Sequence, residues 1–259
     1  MGHHHLVHLP RTPPWLAVIA TLRVPEVIPG DVATATAAAA SERIARLGSD
    51  PSLAYCFWLL ARVTSAAARP DFAAGLAVLG VRAGPSTSVV GVISQLAARA
   101  REEVERHPES GQFGEIASLA LRRALTETVG TEGRSLFGSS LEDLEGAFRR
   151  HATPYRFGEL AHRFFGDLVS RTLRFYVDKE LSQHVGQGWG LATTTEAVGF
   201  TADLDRYARE RARAVELFAA EWWDKRNFLA DGAIGRDEAH GFVAHAVEKL
   251  LGALVEPAA

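Results

Sequence analysis

Residues 154–185, PYRFGELAHRFFGDLVSRTLRFYVDKELSQHV, are the stretch on which the fold turns. Thr153-Pro154 opens it and Gly186 closes it. Proline suits the first helical turn, where its missing N–H is not needed, and glycine suits the position just past the last turn. The interval reads as one helix of about 32 residues, roughly 48 Å long at 1.5 Å per residue. Phe157, Leu160, Phe164, Leu168 and Phe175 fall on one side, and Phe165, Val169, Leu173 and Tyr176 widen the stripe. A helix apolar over so wide an arc is touched by neighbours on more than one side. This segment is therefore expected at the centre of the molecule.

Working outward, the chain reads as one helix after another. Asp31 caps a segment running through Ala33–Ala40 to Leu47, with Gly48 as its stop. Asp50-Pro51 starts the next, since aspartate accepts free first-turn N–H groups and proline fits beside it. That helix carries Leu53, Cys56, Phe57, Leu60 and Val63 at helical spacing. A short helix follows over Asp71–Leu79, and Val89, Ile93, Leu96, Ala97, Ala100 and Val104 mark another stripe. A helix is expected over 113–129. In Ser139-Ser140-Leu141-Glu142 a serine and the glutamate three residues on form a capping box. Thr201 to about Phe228 and Arg236 to about Val255 complete the set. Neither a βαβ pattern nor a fixed-period repeat is present.

These signals predict an all-α protein, with a single domain of about eight or nine helices over 31–259 packed around 154–185. Residues 1–30 are expected to be an irregular, extended arm. Pro10, Pro13, Pro14, Pro25 and Pro29 forbid a continuous helix there, and Leu16–Val24 is β-capable. Such an arm would pack on its own core or on another protein.

Composition bounds what the domain can be. With 259 residues, 47% hydrophobic and 23% charged, the chain is too apolar for disorder and too evenly charged for a membrane protein. At this length roughly 70–75% of the unfolded surface can be buried, so a core needs no disulfide or metal. A net charge of −3 argues against a protein whose main task is neutralising phosphates. The single cysteine, Cys56, excludes a disulfide framework and a four-cysteine zinc site. Of 28 basic residues only Lys179, Lys225 and Lys249 are lysine, a bias that points to a G- and C-rich, bacterial genome. The N-terminus carries His3, His4, His5 and His8 and then prolines instead of a secretory signal. Trp15–Ala20 is far short of the roughly 20 apolar residues that span a bilayer, and a cytoplasmic protein is expected. The His3–His5 run is a weak chelating possibility resting on composition alone.

Several strings could carry chemistry. Glu159-Leu-Ala-His162 and Asp237-Glu-Ala-His240 each place an acid three residues before a histidine, on one side of a helix. Two Glu-x-x-His pairs with two further glutamates build di-iron centres in helical bundles, and Glu115 and Glu221 are the candidates to complete one. The shorter Asp237, or the offset Glu238, spoils that pattern, and two solvated helix faces fit as well. Asp237–His240 also spells a helicase box, but no phosphate-cradling glycine loop accompanies it. Gly186-Gln-Gly188-Trp-Gly190 lacks the strand and spacing of a dinucleotide fingerprint and reads as a helix stop followed by a connection. Cys56 sits between Tyr55 and Phe57 on an apolar helix, where a thiol behaves as a small hydrophobe. His151, His162 and His184 have no spacing that pairs them with a nucleophile.

Arg163, Arg171 and Arg174, with a second group at Arg206–Arg213, suggest a backbone-tracking nucleic-acid surface. Interleaved acids such as Asp167, Asp178 and Asp205 suggest a salt-bridged face instead. Adjacent Trp222 and Trp223 point about 100° apart on a helix. Trp222 continues the stripe of Leu204, Ala208, Val215 and Phe218, which leaves Trp223 to face a neighbour or a partner. The expectation from these residues is a non-catalytic subunit or adaptor of a larger bacterial assembly, contacting another protein or another copy of itself through Trp15, Trp189 and Trp223. No cofactor and no membrane are expected. A metal-dependent bundle enzyme built on Glu159, His162, Asp237 and His240 is the alternative, and a nucleic-acid-binding component using Arg163, Arg171 and Arg174 is a third reading.

Overall fold

A computed structural model of the chain describes residues 9–84, 87–132, 140–186, 191–229 and 234–256. Within them the regular elements are all helical: α1 Pro13–Leu22, α2 Pro29–Ala39, α3 Ser41–Arg46, α4 Pro51–Ala67, α5 Phe72–Val78, α6 Val89–Arg106, α7 Gly111–Glu127, α8 Val129–Glu132, α9 Leu141–Arg150, α10 Pro154–His184, α11 Thr194–Arg211, α12 Glu216–Leu229 and α13 Arg236–Val255. None of these is long and apolar enough to cross a membrane.

At α4, α5 and α6 a short polar side chain caps the helix where the local sequence placed its start. Asp50 accepts the Leu53 N–H at the start of α4, and Asp71 and Ser88 do the same for α5 and α6. α10 opens at Pro154 as expected, and Gly186 after it has φ of 78°, the left-handed conformation that glycine supplies beyond a helix end. The capping box before α9 lies one residue later than the sequence suggests, formed by Ser140 with Asp143.

Three expectations are corrected. The extended arm is a helix over Pro13–Leu22, and α2 begins at Pro29 instead of Asp31. The prolines do not break these helices because Pro13, Pro14 and Pro29 all stand in first turns, where no backbone donor is lost. The expected 31–47 segment divides at Ala40 into α2 and α3, followed by a 3₁₀ turn at Leu47–Ser49. The expected 201–228 helix starts seven residues earlier, at Thr194, where a Thr193–Glu196 capping box sits. It is then interrupted by a 3₁₀ turn at Ala212–Val215. The fold accordingly contains more helical segments than eight or nine.

The core has two buried axes. α10 packs against α7, α11 and α12, and α4 packs against α7, α9 and α13. α4 is inward-facing on nearly every side: Leu53, Cys56, Phe57, Leu59, Leu60, Ala61 and Val63 are all within 1% of fully buried. Phe57 joins the two axes, with ring centroids 6.1, 6.3 and 5.7 Å from Phe157, Phe164 and Phe165 of α10 and a stacked contact at 4.4 Å with Phe242 of α13. Each buried aromatic pair contributes about 0.5–1.5 kcal/mol beyond its burial. Burial also pushes the Cys56 thiol well above its ordinary pKa, with the Asp50 and Glu103 charges acting in the same direction. Cys56 is expected to ignore a thiol reagent at neutral pH in the native protein and to react stoichiometrically once denaturant is added.

α10 meets the α11–α12 strip closely because two glycines leave room. A β-carbon on Gly158 would stand 2.6 Å from the Glu216 carbonyl oxygen, and one on Gly166 would stand 3.2 Å from Arg209 Cγ. Gly158→Ala gains about 1 kcal/mol of helix propensity but drives a methyl into backbone, which typically costs about 1–3 kcal/mol. Urea denaturation is expected to show net destabilisation. Gly252→Ala on α13, where a β-carbon meets nothing within 4 Å, should instead stabilise the protein.

Candidate functional site

Of the three tryptophans expected to meet a partner, the two among the described residues are both turned inward. Trp189 lies outside the described residues, as does the His3–His5 run. Trp15 is buried on the inner side of α1, its ring centroid 4.9 Å from Tyr176. Trp223 is fully buried, stacked on Phe157 at 3.9 Å, and its indole N–H donates to the Ala152 carbonyl oxygen at 2.8 Å. Trp222 is the half-buried member of the pair, leaning on Phe57 and Phe242. The assignment reverses because the buried stripe runs Leu204, Ala208, Ala212, Val215, Ala219, Trp223. Ala212 and Ala219 are too small to mark the stripe in sequence, and the half-buried Phe218 drew it one residue off.

The metal constellation is not assembled. Among the described residues no group of three or more His, Cys, Asp or Glu side chains is placed to hold a metal. The His162 Nε2 donates to the Arg209 carbonyl oxygen at 2.8 Å, and Nδ1 faces Glu216 at 3.6 Å. Glu159 accepts from Arg156 at 2.9 Å. Asp237 and His240 stand exposed on α13, and Glu115 and Glu221 are exposed as well. The arginines separate similarly. Arg171 is tied to the buried Asp167 at 2.5 Å, and Arg174 lies 3.6 and 3.7 Å from Asp178 and Asp205. Arg163 alone of the three is exposed without an acidic partner among the described residues.

Two features missed by the sequence reading remain at the surface. The first is the outer face of α1. Its inner face buries Trp15, Val18, Ile19 and Leu22, while Pro13, Leu16, Ala17 and Ala20 face outward. From Thr12 to Leu22 no residue is charged, and Leu16 is 46% exposed. Val24 and Ile28, 40% and 52% exposed, follow in the connection to α2. A signal existed in the absence of charge, but the proline count suggested an arm and hid the helix.

The second feature is a charged cleft of about 420 Å³ between α7, α10 and the α11–α12 strip. α10 supplies Tyr155, Glu159, His162, Arg163 and Asp167, spaced i, i+4, i+7, i+8 and i+12 along one face. Arg209, Arg213 and Glu216 form the facing row at i, i+4 and i+7, and Arg123 and Glu127 close the side from α7. Gly158 and Gly166 put the two rows close together. At the bottom of the cleft, Arg123 donates to Asp167 at 2.9 Å and to Glu127 at 2.6 Å. These contacts hold the Arg123 guanidinium above its ordinary pKa, the bond to Glu127 acting most strongly. Nothing in either α10 or the strip alone marks this cleft, since it exists only where they face each other.

Comparisons with family models, curated proteins and solved structures find no match to this chain. The side-chain environments therefore carry the functional argument. They also give Trp223→Ala a definite outcome: removing a fully buried indole and its hydrogen bond should cost about 3–5 kcal/mol in urea unfolding. A stability loss within experimental error would contradict its place in the core.

Proposed function

We propose that this chain acts by binding another protein, as a subunit or adaptor of a larger bacterial cytoplasmic assembly, and that the outward side of α1 with the Val24–Ile28 connection carries the contact. The supporting observation is that Leu16, Ala17, Ala20, Val24 and Ile28 stand exposed on a segment whose helix bears no charge from Thr12 to Leu22. A helix at a water-facing surface ordinarily turns its charged residues outward. Contiguous exposed apolar residues on a folded protein mark contact sites. The complementary surface is apolar in turn, and an amphipathic helix of the partner laid along α1 suits it best. Because Trp15, Val18, Ile19 and Leu22 anchor α1 from the other side, the surface is pre-ordered and little ordering entropy is lost on binding.

Leu16→Asp combined with Ile28→Asp tests the reading without touching the core. Both side chains are about half exposed, so the melting temperature should stay within about 2 °C, as expected for surface changes within ±0.5 kcal/mol. In cross-linking from host cells, a stoichiometric protein partner of the parent chain should be lost from the double variant. Retention of the same partner by the variant would sink the proposal, as would a parent chain recovered alone and monomeric.

A further inference from the structure

We infer that the cleft between α10 and the α11–α12 strip is a binding site for a small phosphorylated, hydroxyl-bearing metabolite, a site separate from the α1 surface and independent of it. The cleft's formal charges cancel, but their pairing does not. Asp167 is shared between Arg123 and Arg171, Glu127 is held by Arg123, and Glu159 is held by Arg156. Three guanidiniums are left over. Among the described residues Arg163, Arg209 and Arg213 have neither an ion pair nor a side-chain hydrogen bond, yet all three line the same cleft. Arg209 in the last turn of α11 and Arg213 in the 3₁₀ turn that follows bring two like charges to the same cleft. Same-sign charges gathered in a concavity raise the local concentration of counter-ions. A guanidinium offers a planar fork of donors that matches a phosphate or carboxylate edge.

Three forks favour a group with more than one negative charge and three oxygens to share, and a phosphate ester has both. The rest of the ligand is indicated by the opposite end. Among the described residues Glu216 has only His162, at 3.6 Å, as a side-chain partner, so its carboxylate can accept from ligand hydroxyls. Tyr155, 64% exposed at the cleft's edge, adds a phenol that can donate. At about 420 Å³ the cleft is within the roughly 300–1,000 Å³ of small-molecule sites. Its walls are almost entirely charged, which suits a polar metabolite over an apolar one. The glycine approach at Gly158 and Gly166 and the His162–Arg209 hydrogen bond fix both walls, so the guanidiniums are presented by a pre-formed frame.

Titration calorimetry on the purified full chain, at ionic strength held constant with chloride, tests the site. The probes are inorganic phosphate, glucose 6-phosphate as a hydroxyl-bearing phosphate ester, citrate, and a single-stranded oligonucleotide. The expected result is saturable one-site binding of the phosphate ester, at least tenfold tighter than inorganic phosphate or citrate. Arg163→Ala with Arg213→Ala should weaken it at least tenfold at an unchanged melting temperature, since both side chains are exposed. Arg163→Lys with Arg213→Lys, which keeps the charge and removes the forks, should fall between. Undiminished binding by the alanine pair would overturn the inference, as would absence of saturable binding by the small phosphates. Binding of the oligonucleotide alone would likewise overturn it and reassign these arginines to a polyanion surface.

Discussion

Phe57 is the ring on which the rest of the structure depends. It sits fully buried on α4 and touches aromatic side chains of α10, α12 and α13. α4 lies far in sequence from the other three, and among the described residues no backbone hydrogen bond joins one of these helices to another. Their mutual placement therefore rests on side-chain packing, which is close to crystalline in protein interiors and tolerates little slack. The cluster extends outward through Phe165, Trp222 and Phe242 to the half-buried Phe218 stacked 4.9 Å from Phe242. A fully buried phenylalanine contributes about 1.5–3 kcal/mol over an exposed one. The network thus fixes both the angle of α12 on α10 and the position of α13.

Both surface features follow from that packing. α12 is held against α10 by Trp223 on Phe157 and by Trp222 on Phe57. Since α10 presents glycine at 158 and 166, the contact is close enough for polar rows on the two elements to face each other across a cleft. Below them the buried Asp167 is met by two arginines from different helices, Arg123 and Arg171. A buried carboxylate without such partners would be strongly destabilising. On the far side, α1 rests on Tyr176 through Trp15, so one end of the long helix orders α1 while the other end builds the cleft.

α6 is joined to α13 by a smaller polar device. Glu103, only 5% exposed, accepts from both Arg106 and Arg236. Arg236 in turn lies over the rings of Tyr55 and Trp58. The start of α13 is thereby fixed to α4 by stacking and to α6 by charge, close to where Trp58 donates to the Ile234 carbonyl oxygen. Asp237 and His240 are turned away from this junction into solvent, which is the physical reason they do not join Glu159 and His162.

The sequence by itself determined the all-helical class, the span of α10, and the helix starts at Asp50, Asp71, Ser88 and Pro154, but not the Thr193 capping box of α11. Those signals are legible because a cap satisfies backbone groups within four residues, so its physics is local. It also determined that Cys56 lies in an apolar interior. The tertiary structure decided what depends on the other side of a contact. It ordered α1 as a helix, because a ten-residue segment is marginal alone and needs a core to rest on. It chose Trp223 over Trp222, because the 3₁₀ turn and the silent alanines of the stripe leave the phase to packing. The Asp167–Arg171 and Arg174–Asp178 pairs are four residues apart on α10 and were legible in the sequence. The Arg123–Asp167 and Arg174–Asp205 pairs, and the gathering of Arg163, Arg209 and Arg213 around one cleft, exist only where two elements meet, and neither element encodes them alone.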